Sequence, residues 1–104
     1  MNKRTKALDI PKRVKDAVWQ RDNHRCILCG STQAMPNAHI ISRAQGGRGI
    51  ETNIVTLCQN CHRMLDQSIH RKYLMQEVYA YMQAKYPGWQ AHDQVYRKGE
   101  AYVK

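Results

Sequence analysis

Two Cys-x-x-Cys pairs, Cys26 with Cys29 and Cys58 with Cys61, most narrow the chemistry open to this chain. Thiolates two residues apart can reach one ion, and two such knuckles complete a closed tetrahedral S₄ site, for which structural zinc is the expected metal. Positions 30–57 separate the knuckles, a longer gap than a zinc ribbon needs, so a substructure is expected between them. A redox dithiol would need a thioredoxin-like βαβ setting that the pattern lacks. A rubredoxin-like iron site would use the same four thiols. In either metal reading the cysteines leave no open catalytic position.

The segment between and just after the knuckles carries His39, Asn53 and His62. Each alone could be a hydrogen-bonded structural residue. Their placement on two strands and a helix gathered by one metal suggests a common site instead. Asp66 follows His62 by four residues, which puts both on one helical face. Arg43 and Arg48 flank the Gly46-Gly47 pair in a polar loop and are candidates for phosphate contact; a solvated charge is the alternative for each.

The elements that must position these groups follow from pattern and punctuation. Residues 1–9, with Lys3, Arg4 and Lys6, read as a basic tail that stays mobile until it meets a polyanion. Asp9 is a plausible N-cap and Pro11 suits a first turn, so a helix is expected from there to the turn-favouring Asp22-Asn23 pair, with Val14, Ala17 and Val18 on its apolar face. Lys12, Arg13 and Lys15 would form a charged face on it. Gly30 closes the first knuckle. Residues 35–41 read as a strand, 42–52 as a loop, and the β-branched Ile54-Val55-Thr56-Leu57 as the return strand. A short helix is expected from Cys58 to about Asp66. A second begins near Arg71, carries Leu74, Val78, Tyr81 and Met82 on one stripe, and stops at Pro87-Gly88. The last 16 residues are aromatic and basic without a clear period.

Composition sets the outer bounds. A chain of 104 residues has the length of one domain, and a fold this small buries only about two-thirds of its unfolded surface. There is no Phe, so a metal staple would supplement a thin core. Seventeen Lys and Arg against eight Asp and Glu give a formal charge of +9, which favours a polyanionic partner, most simply nucleic acid, over a merely solubilising surface. No apolar run nears the ~18 residues of a membrane span and no export signal is visible, so no membrane association and a reducing cytoplasm are expected.

From Arg21 to Asp66 the sequence resembles the HNH endonucleases of the ββα-metal class. The likeness rests on Arg25-Cys26-Ile27-Leu28-Cys29-Gly30, Ala38-His39-Ile40-Ile41, Gly46-Gly47, and Asn53-Ile54-Val55-Thr56-Leu57-Cys58-Gln59-Asn60-Cys61-His62. It is similar in particular to the small HNH proteins of phages and their bacterial hosts, which implies a bacterial or phage-infected cell. The resemblance implies His39 as general base, His62 as ligand to a catalytic Mg²⁺ or Mn²⁺, and Asn53 as the amide that pins the loop. Many members carry a second ligand just before the base, where this chain has Ala38. Asp66 is expected to replace it, at the offset that colicin-type members use.

The expected fold is therefore α+β: a zinc-stapled ββα core with an N-terminal and a C-terminal helix. One domain spans 1–104, with the tail at 1–9, the core and leading helix at 10–68, and the C-terminal helix and tail at 69–104. The expected function is metal-dependent hydrolysis of phosphodiesters in DNA, double-stranded in the main reading, with any sequence preference supplied by a protein partner. A catalytically degenerate HNH fold that binds nucleic acid without cutting is the alternative. A plain zinc-ribbon interaction protein would have no need of His39.

Overall fold

A computed structural model describes residues 2–97. Helices α1 (Lys3–Leu8) and α2 (Lys12–Arg21) lead into strand β1 (Ala34–His39). Strand β2 (Ile54–Cys58), α3 (Gln59–Gln67) and α4 (Arg71–Lys85) follow. The two strands form one antiparallel pair, with Ala34 opposite Cys58 and His39 opposite Ile54, and an irregularity between Met35 and Ala38. Pro36 falls within that irregularity, one of the few places a strand tolerates a residue with no N–H. The architecture is the α+β one expected.

All five residues of β2 are buried, because helices cover both faces of the sheet. On one side Ile54 meets Val14 and Val18 of α2. On the other, Val55 and Leu57 pack with Leu65 of α3, Val78 and Met82 of α4, and Trp89. Of the expected α4 stripe, Val78 and Met82 are buried, whereas Leu74 and Tyr81 are half-buried at its margin.

Two expectations fail at the N-terminus. Residues 3–8 are not a mobile tail but helix α1, capped by the Asn2 side chain and anchored by Leu8, which is 2% exposed. Asp9 is consequently the C-cap of α1, and α2 begins after Pro11 without a side-chain cap. The strand expected over 35–41 lies at Ala34–His39. The loop holds two short 3₁₀ turns, Arg43–Gln45 and Glu51–Asn53. The aperiodic C-terminal stretch also has structure: Trp89 is buried, its Nε1 donating to Thr52 O at 2.7 Å, and Ala91–Gln94 form a 3₁₀ turn. The rest of the expected tail, 98–104, lies outside the described residues. Among the described residues no helix is long and apolar enough to cross a membrane.

Among the described residues no third strand lies on the outer edge of β2, and an Arg–Asp pair takes its place. Asp22 accepts from Thr56 N at 2.9 Å, from the Tyr81 hydroxyl at 2.6 Å and from Arg21 Nε at 2.7 Å. Arg21 in turn donates to Ile54 O and Glu51 O, both at 2.8 Å. Burial opposes the Arg21 charge, yet the Asp22 carboxylate and the Tyr86 hydroxyl hold its proton more firmly than usual. Burial, together with the bond to Asp22, pushes the Tyr81 hydroxyl up.

Removing one partner of such a pair strands the other, so Asp22→Ala should cost roughly 3–5 kcal/mol. Urea titration of the metal-loaded protein measures this. Lys12→Ala, which breaks only the exposed pair with Asp16, should leave the midpoint where it is.

Candidate functional site

The four cysteines converge as their spacing predicts. Their sulfurs all lie within 4.8 Å of one another, and Cys29 Sγ is 3.6 Å from Cys58 Sγ. Sulfurs around a tetrahedral ion with ~2.3 Å bonds sit about 3.8 Å apart, so the donor set fits a structural metal such as zinc. Local backbone builds the cluster: Gly30 N donates to Cys26 O at 2.9 Å to close the first knuckle. Cys58 caps α3, accepting from Cys61 N at 3.4 Å. Electrostatics favour a cation at its centre. Burial and the neighbouring thiols push Cys61 up, while Cys26, despite burial, is brought down to about 7 by backbone N–H donors of Cys29, Cys58 and Leu28. A dication relieves the crowding of sulfur charge that four thiolates would otherwise create.

Beside the cluster, α3 divides its faces. Cys61 and Leu65 turn inward, and His62 and Asp66 turn to an open cleft of about 720 Å³. Their side chains are 43% and 60% exposed, with His62 Nε2 3.6 Å from Asp66 Oδ2. His39, the last residue of β1, lines the same cleft, together with Asp9, Lys15 and Arg43. Burial draws His39 below the ordinary histidine value; the Leu8 carbonyl, which accepts from Nε2 at 2.8 Å, works in the other direction. An imidazole kept neutral can accept a proton, and an imidazole–carboxylate pair can hold a divalent cation.

Asn53 touches the cleft only through the loop it holds. Fully buried, it accepts from Ile41 N at 2.9 Å and donates to Arg48 O at 2.8 Å and to Ile41 O at 3.2 Å, so its amide closes the loop across 41–48. Gly47 passes so close beneath that a Cβ would sit 1.6 Å from Ile41 O and 2.9 Å from Asn53 Nδ2. The loop thus depends on a missing side chain as well as a buried amide.

The two arginines part company. Arg43 lines the cleft and pairs with Asp9 at 2.9 Å, whereas the half-buried Arg48 is not among the lining residues. Of the charged face expected on α2, only Lys15 reaches the cleft. Ala38 points away: it is 1% exposed and packs in the core with Val55 and Leu57, so it offers the cleft nothing. Asp9, which reads in sequence as a helix cap, is a cleft residue; only the break of helix at Pro11 hints that it could be.

If the thiol cluster holds the fold, stripping bound metal should unfold the protein, not only silence it. A strong chelator, or Cys58→Ser, should abolish most far-UV circular dichroism of the β1–β2–α3 unit; retained dichroism with no metal bound would count against a structural site.

These features can be set beside known families. The chain matches the family model for HNH endonuclease over residues 26–77, half of its length. A comparison with curated proteins found no match. The matched span takes in all four cysteines, both strands, α3 and the start of α4, the parts that build the cluster and most of the cleft. By fold, thiol cluster and family match, the chain belongs to the HNH endonuclease family.

Proposed function

We propose that this protein is a metal-dependent DNA endonuclease in which His39 is the general base. The observation that carries this reading is the single cleft that gathers His39, His62 and Asp66 with the cations Lys15 and Arg43. In this reading His62 and Asp66 hold a catalytic Mg²⁺ or Mn²⁺, Asp66 standing in for the ligand that Ala38 lacks. A divalent cation there supplies charge stabilisation to a phosphoryl oxygen and to the leaving 3′ oxygen. Zinc is the metal proposed for the four thiols, given their all-sulfur tetrahedral set.

The chain's own groups account for the rest. His39 takes a proton from a water molecule as the water oxygen forms its bond to phosphorus. The bond to the 3′ oxygen breaks, leaving a 5′-phosphate, and the departing oxygen takes a proton from solvent. Lys15 neutralises phosphate on the α2 side, and Arg43 does so on the loop side, with Arg48 at the loop's flank. Asn53 holds that loop so that the His39 ring keeps its place. The +9 charge suits the two backbones of duplex DNA, where phosphate contacts position a protein without reading sequence; in this reading any selectivity comes from a protein partner.

His39→Ala should lower plasmid cleavage by about 10²–10⁴-fold while DNA affinity stays near wild type, as expected when a positioned base is lost. A variant that nicks at the wild-type rate would sink the assignment. Asp66→Ala should shift the Mn²⁺ dependence of cleavage to higher concentration without changing thermal stability. Should its Mn²⁺ curve overlay wild type, the ligand role fails. A wild-type protein that binds DNA but never cuts it under any divalent ion is the non-cutting alternative, which the buried Ala38 would then explain.

A further inference from the structure

Residues ahead of the family match close over the cleft loop through their backbone. Helix α1 ends at Leu8 because Asp9 turns extended, at φ −71° and ψ 152°, on the approach to Pro11. The last carbonyls of a helix lack partners within it, and here two of them are taken by the loop and the site. Ala7 O accepts from Gly49 N at 2.9 Å. Leu8 O accepts twice, from His39 Nε2 at 2.8 Å and from Arg43 Nη1 at 2.9 Å. The contact is a backbone-on-backbone fit: a Cβ on Gly49 would sit 1.8 Å from Asp9 O.

A carbonyl oxygen can only accept, so the ring nitrogen 2.8 Å from Leu8 O must carry hydrogen. A neutral imidazole has one such hydrogen. With it on Nε2, Nδ1 keeps its lone pair. We propose that the Leu8 carbonyl is a positioning group that holds His39 as the Nε2–H tautomer, with Nδ1 as the atom that takes the proton. Helix α1, outside the matched span, then belongs to the machinery of the site. The proposal rests on His39 being the base. The same carbonyl serves the reacted state too, since its hydrogen bond strengthens once Nδ1 is protonated and the ring is charged. Arg43 braces the arrangement from both ends, binding Leu8 O and the Asp9 carboxylate.

Nitrogen-15 NMR of the histidine-labelled, metal-loaded full chain reads this directly. Wild type should show His39 with Nε2 protonated and that proton protected from solvent exchange; an Nδ1–H tautomer would overturn the proposal whatever the activity. Gly49→Ala forces the segment off the loop, and Leu8→Ala loosens its buried anchor more gently. In whichever variant keeps its metal and its β1–β2 amide shifts, the proton should lose protection. Cleavage should fall by about 10²-fold, the scale of a misplaced base, with DNA affinity within twofold. Loss of protection with cleavage at the wild-type rate would overturn the proposal, as would protection unchanged in both variants. His39→Ala separates the two readings. If it is inactive while Gly49→Ala cuts normally, the nuclease reading stands and this inference falls. If it cuts normally, the base assignment falls first.

Discussion

A two-stranded sheet buried on both faces has one difficulty that packing cannot solve, which is its bare edge. β2 runs through the middle of the molecule, and its outward peptide groups cannot reach water. The chain meets this with a side-chain pair in place of a strand: Asp22 accepts from Thr56 N, Arg21 donates to Ile54 O, and Ile27 N donates to Thr56 O at 3.0 Å. Three elements are fixed at once. Asp22 ends α2, Tyr81 brings α4 to the same carboxylate, and Ile27 belongs to the first knuckle. The thiol cluster gathers where β2 ends at Cys58, and the cleft opens beside it, on the His62 and Asp66 face of α3.

The site inherits its geometry from that arrangement. His39 ends β1 opposite Ile54, so its place follows from the register. His62 and Asp66 lie one turn apart on a helix whose N-cap is itself a thiol of the cluster. Each group that could act in the cleft therefore hangs from a backbone held by the sheet edge, the sulfur cluster or the Asn53 amide. None depends on a long unsupported loop. This is how a core without a single Phe can hold several polar groups around one cleft.

What the sequence made legible was local. Cysteine spacing, the four-residue offset of His62 and Asp66, the stripe on α4 and the stop at Pro87-Gly88 all act over a few residues, and all lie where expected. What it hid was remote. Asp22 looked like a turn residue because its partners, Thr56 and Tyr81, stand far along the chain. Residues 3–8 looked like a solvated tail because their cations outweigh two apolar side chains; the helix is worth forming for the carbonyls it presents to His39 and Gly49, which no side-chain pattern reports. Arg43 and Arg48 look alike in sequence, and only the path of the loop sends one to the cleft.

That loop is gripped from two sides. Leu8 and Asp9 hold Arg43 on one, and on the other Arg48 N donates to Gln94 O at 2.9 Å and Tyr96 N to Gly46 O at 2.8 Å. A ribosome delivers these grips at very different times. The first can form once Arg43 has emerged, and the second only after residue 96 has followed. The nascent chain can gather its sulfurs as soon as Cys61 is clear, but the loop beside the cleft is held from both sides only once residue 96 is clear. The fold thus writes a temporal order into the molecule: sulfur cluster first, the second grip on the loop last.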